Sequence, residues 1–357
     1  MAETPFRIDC DIHLPQVEMR DLLPYLDEYW HRQIIDRDLH TMPFRLASYP
    51  PNAPITHAPN YDEMSITDAL DASNSSLGVA TMLHGVLALH NPDMREVLLR
   101  AVNDYVADNW LDKHPRLRGS ILVSSEDPVA AVAEIERLAG DKRFVQVAFL
   151  AMQEMHHGAR HYWPIYEAAQ KHDLTIAIHA GGLYRLPPSV AGWPSYQYED
   201  YILQSGVFAN ILVGLLGEGV FKKFPKLQFV FLESGFTWLP TTMWRMDKTW
   251  RGVRQEVPWL DQPPSEIMKG RVFFGLQPVD LPGPKELEQV LRHIGRTDML
   301  LFSTDFPHRQ FSEDPIPAGY PPEALAGLNA GNALNAYPRL MADSAVPENL
   351  RKIEVPA

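Results

Sequence analysis

The chain has 357 residues, 45% hydrophobic and 22% charged, a balance that suits a folded globular protein with a sizeable core. Its formal net charge of −13 argues against a nucleic-acid partner, and no apolar run is long enough to span a bilayer. One cysteine excludes an internal disulfide and a cysteine metal cage, so any metal must be held by histidine and carboxylates.

The first thirty residues lack the basic region, apolar run and small-residue cleavage site of a secretory signal, and the expected location is the cytoplasm. Ile8-Asp9-Cys10-Asp11-Ile12-His13 reads as the first strand, too short for a helix and bounded by turn formers. Alternation across a strand sets Asp9, Asp11 and His13 on one face and Ile8, Cys10 and Ile12 on the other. A helix is expected over Met19–Gln33, and the proline-rich stretch Met42–Asn60 reads as a long loop over an active-site mouth.

Helical residues from Asp62 to Ala72 lead into an apolar strand, Gly78–His84. Asn91 and Pro92 then form an N-cap and first-turn proline, and Asp127 with Pro128 repeats the signature after strand Arg118–Ser124. Strand Phe144–Leu150 precedes a loop with His156, His157 and His161, expected to be solvated, and a helix from Trp163 to Lys171. Strand Thr175–His179 is followed by an aromatic, lid-like segment, Trp193–Tyr201, and a helix over Leu203–Glu218. Strand Gln228–Glu233, helix Trp238–Trp250, strand Val272–Leu276, helix Pro284–Ile294 and strand Met299–Thr304 complete the series. Eight βα units predict a single-domain (β/α)₈ barrel over residues 1–357, with long active-site loops. A doubly wound open sheet is the rival, and the missing Gly-rich turn after the first strand weakens it.

In such a barrel the chemistry sits at the C-terminal ends of the strands. Those ends carry Asp11 and His13, then His84, Ser124, His179, Glu233 and Asp305. Taken alone, His179 would be a core histidine and Asp305 a turn former. Taken together, two carboxylates and two imidazoles suit a hard or borderline divalent ion with a position left for water or substrate. Zinc is the expected metal, with manganese or iron as alternatives.

The motifs resemble the amidohydrolase-related family of metal-dependent barrels, the branch holding aminocarboxymuconate-semialdehyde and γ-resorcylate decarboxylases. The resemblance rests on the Asp11-x-His13 pair and the run from Tyr162-Trp163-Pro164-Ile165-Tyr166-Glu167-Ala168-Ala169 to His179. It continues in Glu233-Ser234-Gly235 with Trp238-Leu239-Pro240, and in Thr304-Asp305-Phe306-Pro307-His308. It implies a cation held by Asp11, His13, His179 and Asp305, with Glu233 as an acid/base or further ligand. Asp9, His84 and His308 are then candidates to support the ligands or touch substrate. An ion pair between Glu233 and Arg245 is the structural alternative. Relatives commonly carry His-x-His on the first strand, a histidine on the sixth and a carboxylatable lysine on the fourth. This chain has Asp-x-His, Glu233 and no such lysine, which favours one metal over two.

The expected activity is therefore metal-dependent hydrolysis of a C–N or C–O bond, or non-oxidative decarboxylation of a small carboxylic acid. Two alternatives are a dinuclear Fe/Mn oxygen-activating monooxygenase on the same fold and a metal-binding partner subunit of such a heteromeric hydroxylase. The expected partners are a small-molecule substrate and either a second copy or a related subunit, with no nucleic acid and no membrane.

Overall fold

The computed structural model describes residues 5–41, 65–183, 185–189, 192–308 and 314–351. Eight parallel strands run in chain order around one sheet. They are β1 Ile8–His13, β2 Leu77–Thr81, β3 Leu117–Leu122, β4 Phe144–Met152, β5 Thr175–Gly182, β6 Phe229–Leu232, β7 Val272–Gly275 and β8 Leu300–Leu301. Just beyond β8 the chain turns back on β1. The Cys10 amide donates to the Phe302 carbonyl (2.9 Å) and the His13 amide to the Phe306 carbonyl (2.7 Å), which draws the ends of the sheet together. The predicted barrel is present. The predicted loop Met42–Asn60 lies outside the described residues.

Helix starts follow their caps. The Asn91 side chain accepts from the Met94 amide, and Asp127 accepts from the amides of Val129 and Ala130, each with proline at the first helical position. The helix expected over Met19–Gln33 is divided into Met19–Leu22, a 3₁₀ turn Leu23–Tyr25, and Glu28–Ile35. Pro24 cannot continue the first helix, and Asp27 caps the second by accepting from the Trp30 amide. The lid-like reading of Trp193–Tyr201 is also divided, because its second half is the first turn of a long helix, Gln197–Gly217.

The barrel is packed on two sides. Outside, aromatic pairs join strands to helices, as where Phe208 meets Phe231 and Tyr166 meets Phe229. Inside its lower half, Ile8, Cys10, Val79, Val145, Val230 and Leu301 pack with Leu334, Tyr337 and Leu340. The last three belong to a C-terminal plug that the strand-and-helix alternation did not announce. Arg339 fixes the plug by donating to the carbonyls of Ala139, Asp141, Phe144 and His172, and Arg118 on β3 pairs with Asp343. Above the plug, the buried Thr81, Ser120 and Gln146 hydrogen-bond to one another.

The face assignment in β1 needs correction. Pairing with β2 shifts register between Asp9 and Ile12, so strict alternation fails there. Ile8 and Cys10 line the plugged interior, Ile12 packs in the outer core, and Asp11 and His13 both turn into the mouth. Asp9 faces β8 instead. Its carboxylate accepts from the Thr304 hydroxyl (2.6 Å), the Thr304 amide (3.1 Å) and the Asp11 amide (3.2 Å).

Candidate metal centre

The mouth of the barrel gathers the four expected donors. Among the described residues, Asp11, His13, His179 and Asp305 offer one ligand atom each, all within 4.8 Å of one another, and all four side chains are buried. His13 Nε2 lies 3.2 Å from His179 Nε2, 3.3 Å from Asp305 Oδ1 and 3.5 Å from Asp11 Oδ1. His179 Nε2 lies 3.7 Å from Asp11 Oδ1. His179 donates its Nδ1 proton to the Ala180 carbonyl at 2.8 Å, and this tautomer aims the Nε2 lone pair into the cluster.

Backbone strain supports the arrangement. Glu233 and Asp305 both have positive φ, 51° and 60°, a region unfavourable for residues with a Cβ. Glu233 follows directly on β6 and Asp305 lies four residues beyond β8, each at a left-handed kink just past the C-terminal end of its strand. Asp305 is held there by its own amide, which donates to the Asp11 carbonyl at 3.2 Å.

Electrostatics show what is missing from the protein alone. Both oxygens of Asp11 and Oδ2 of Asp305 are buried without a hydrogen-bond partner. Burial, the negative Asp305 and Glu233 push the Asp11 carboxyl well above its usual range. Burial also raises Glu233 to about 8, helped by repulsion from Asp305. Asp305 itself stays below the usual carboxylate range, because His308 and His13 outweigh its burial. Desolvation lowers His13 to about 4 and His179 to about 3, so both are neutral with a lone pair to give. Crowded carboxylates with unpaired oxygens, facing neutral imidazoles, are a donor set that a divalent cation satisfies. The residues fit a metal.

Glu233 stands at the edge of this cluster, with Oε2 3.8 Å from His179 Nε2. Arg245 is exposed on the helix Leu239–Val253, and Glu233 turns to His179 instead. His308 donates its Nδ1 proton to Asp305 Oδ1 at 2.8 Å, and its ring lies 4.0 Å from that of His13. Burial disfavours a charged His308, yet the Asp305, Glu233 and Asp11 carboxylates raise it to about 10. Glu233, Asp305 and His308 thus form a second group with ligand atoms within 4.8 Å, sharing Asp305 with the first. His308, expected only to support the ligands or touch substrate, lies within this second group, and its place three residues after Asp305 is the signal for it.

His84 and Asp9 stand apart from both groups. His84 uses Nε2 on the Val17 carbonyl (2.8 Å) and accepts the Val86 amide on Nδ1 (3.2 Å), which makes it the cap of a 3₁₀ turn. Asp9, raised to about 7 by burial, ties β1 to Thr304. The expectation of a solvated histidine loop holds for exposed His156 but fails for His157, which is buried with Nε2 3.1 Å from the carbonyls of Leu150 and Ala151. Those two carbonyls lie at the end of β4, and satisfying them draws the ring inward.

Comparison with known proteins agrees with this architecture. The profile of the amidohydrolase family matches residues 8–339. The γ-resorcylate decarboxylase of Polaromonas sp. strain JS666 is 25% identical over 261 residues, 64% of this chain and 73% of the relative. An amidohydrolase from Mycobacterium avium subsp. paratuberculosis K-10 superposes with a TM-score of 0.71 at 17% identity, over 94% of this chain and 100% of the other. A dihydroxybenzoic acid decarboxylase from Polaromonas sp. JS666, solved with bound manganese and 2-nitroresorcinol, gives 0.63 at 18% identity, over 95% and 98%. A 5-carboxyvanillate decarboxylase from Sphingomonas paucimobilis gives 0.64 at 18% identity, over 93% and 99%. Likenesses at this level of identity speak for the shared barrel, while the profile spans nearly the whole of it: the chain belongs to the amidohydrolase family of enzymes.

Proposed function

We propose that this chain is a metal-dependent, non-oxidative decarboxylase of a small aromatic hydroxy acid. The observation that carries the reading is the buried Asp11–His13–His179–Asp305 cluster with a spare carboxyl, Glu233, at its edge. The names of the relatives favour decarboxylation over hydrolysis of a C–N or C–O bond. The four residues would hold the ion, and manganese replaces the zinc expected from sequence because solved relatives contain it. When bound, the ion supplies positive charge that anchors substrate oxygens and draws electron density from the ring.

The chain's own residues supply the proton. Glu233, partly buried beside His179, gives its proton to the ring carbon that bears the carboxylate. The bond to the carboxylate then breaks, its electron pair returns to the ring, and carbon dioxide leaves. Solvent reprotonates Glu233. His308, bonded to Asp305, fixes the orientation of that carboxylate.

A second reading has its own observation. Glu233, Asp305 and His308 would hold a second ion, with Asp305 common to both groups. This arrangement corresponds to a dinuclear, oxygen-activating monooxygenase. Manganese-loaded protein given 2,6-dihydroxybenzoate or 5-carboxyvanillate in deuterated water distinguishes the two. Decarboxylation yields carbon dioxide and one deuteron at the vacated ring carbon, without oxygen, at one ion per chain. Glu233→Gln should then lower turnover roughly 10²–10⁴-fold and keep its metal. Two ions per chain with oxygen-dependent turnover would establish the second reading. A single ion with no carbon dioxide from either acid would return the assignment to hydrolysis.

A further inference from the structure

The helix Gln197–Gly217 buries one stripe against the barrel, formed in its later turns by Val207, Phe208, Ile211, Leu212 and Leu215. Three and seven residues before Val207, the same stripe carries Gln204 and Asp200. Asp200 is 4% exposed, and a buried carboxylate is costly where an apolar side chain would fit. The first turn is fixed from its outer side, where exposed Glu199 accepts from the amides of Ser195 and Tyr196 at 2.6 and 2.9 Å. Asp200 is left on the inner side, where the helix meets the end of β5.

There the Gln204 side chain bridges two partners. Its Oε1 accepts from the Gly181 amide at 3.4 Å, and its Nε2 donates to Asp200 Oδ2 at 3.4 Å. A backbone N–H can only donate and a carboxylate can only accept, so these neighbours fix which way the Gln204 amide points. The Gly181 N–H belongs to the same peptide unit as the Ala180 carbonyl, which accepts the Nδ1 proton of His179 at 2.8 Å. Pairing of β5 with β4 shifts register between Leu150 and Met152, and Gly181 has φ +100°. The Ala180–Gly181 peptide thus lies where the regular ladder is interrupted. One continuous chain results, from the Asp200 carboxylate through the Gln204 amide and this peptide to the imidazole whose Nε2 enters the donor cluster. Each acceptor polarises the donor before it, so the Asp200 charge increases the electron density that His179 offers a cation.

We propose that Asp200 and Gln204 are positioning residues for the metal ligand His179, acting in series through the Ala180–Gly181 peptide. The relay holds the imidazole in one tautomer and one orientation. It carries the influence of a carboxylate to the ligand without adding a further one to the group of Asp11, Asp305 and Glu233. It depends on the ion proposed for the four donors and not on the reaction that ion serves.

Manganese affinity of the full chain, measured by competition with a chelator, tests the relay. Asp200→Asn keeps the shape and an acceptor oxygen but removes the charge, and Gln204→Leu keeps the bulk but breaks both bonds. Each should weaken manganese binding about 10-fold, the low end of the range for groups that support a ligand. Because the two act in series, the double variant should also lose about 10-fold, whereas independent effects would multiply to about 100-fold. The melting temperature of metal-free Asp200→Asn should move by only a few degrees. Glu199→Ala, which loosens the same helical turn from its outer side, should leave manganese affinity unchanged. Single variants within about twofold of wild type, or losses that multiply in the double variant, would overturn the proposal. An equal loss of affinity in Glu199→Ala, or metal-free single variants that no longer fold, would assign the pair to holding the helix and overturn it as well. A wild type that binds no manganese would overturn the metal centre itself, and the relay with it.

Discussion

Asp11 presents two buried carboxylate oxygens with no partner, beside Asp305 and Glu233. Without a cation this is a liability, since an unsatisfied buried charge costs about 1–3 kcal/mol or more. Opposite effects are therefore expected from one substitution. Asp11→Asn should abolish tight metal binding, measured by elemental analysis per chain. Yet chelator-treated Asp11→Asn should melt a few degrees above chelator-treated wild type, because one crowded charge is gone. A metal-free variant that melts well below the metal-free wild type would show that Asp11 has a partner in the empty protein. The Glu233→Gln expectation belongs to the same scale, since that residue sits 3.8 Å from His179 at the cluster's edge.

Elements pack on one another through a few tight contacts. The loop after β4 touches the helix Gln197–Gly217 so closely that a Cβ on Gly158 would stand 2.2 Å from the Gly214 carbonyl oxygen. Gly158→Ala should therefore displace loop or helix and cost about 1–3 kcal/mol, read from the urea midpoint. The plug offers a pH test. Burial pushes the Asp343 carboxyl up, but the Arg118 guanidinium outweighs it and holds the group below its ordinary value. A depressed folded-state value means the stabilisation is complete above the unfolded-state value near 3.9, and is lost as pH falls through the folded one. Asp343→Asn should therefore destabilise the fold at pH 6 by roughly 1.5–3 kcal/mol for a bond to a charged group, read from urea unfolding. The difference from wild type should shrink steadily below about pH 4. A difference independent of pH would exclude Asp343 as the charged partner.

The whole molecule separates its stability from its chemistry along the barrel axis. Leu334 is buried in the plug at the end of the barrel opposite the donor cluster. Leu334→Ala should cost about 2–5 kcal/mol in thermal or urea unfolding while leaving metal stoichiometry unchanged. Loss of metal in that variant would mean that plug and mouth are coupled.

Much of this was legible in the residues themselves. Strand and helix periodicity, the Asn91–Pro92 and Asp127–Pro128 caps, and polar residues ending apolar strands are local signals, and local signals survive without the fold. They sufficed for the barrel and for Asp11, His13, His179 and Asp305 as a set. Only the tertiary structure decided the rest. The register shift in β1 that parts Asp9 from Asp11 depends on pairing with β2, sixty-odd residues away. The approach of His308 and Glu233 to Asp305 depends on left-handed backbone at 233 and 305 and on closure of β8 against β1. The inward turn of His157 and the C-terminal plug satisfy carbonyls and apolar surface supplied by distant strands. Periodicity reports which face of an element is apolar, whereas the partner that covers it is chosen by contacts between segments far apart in the chain.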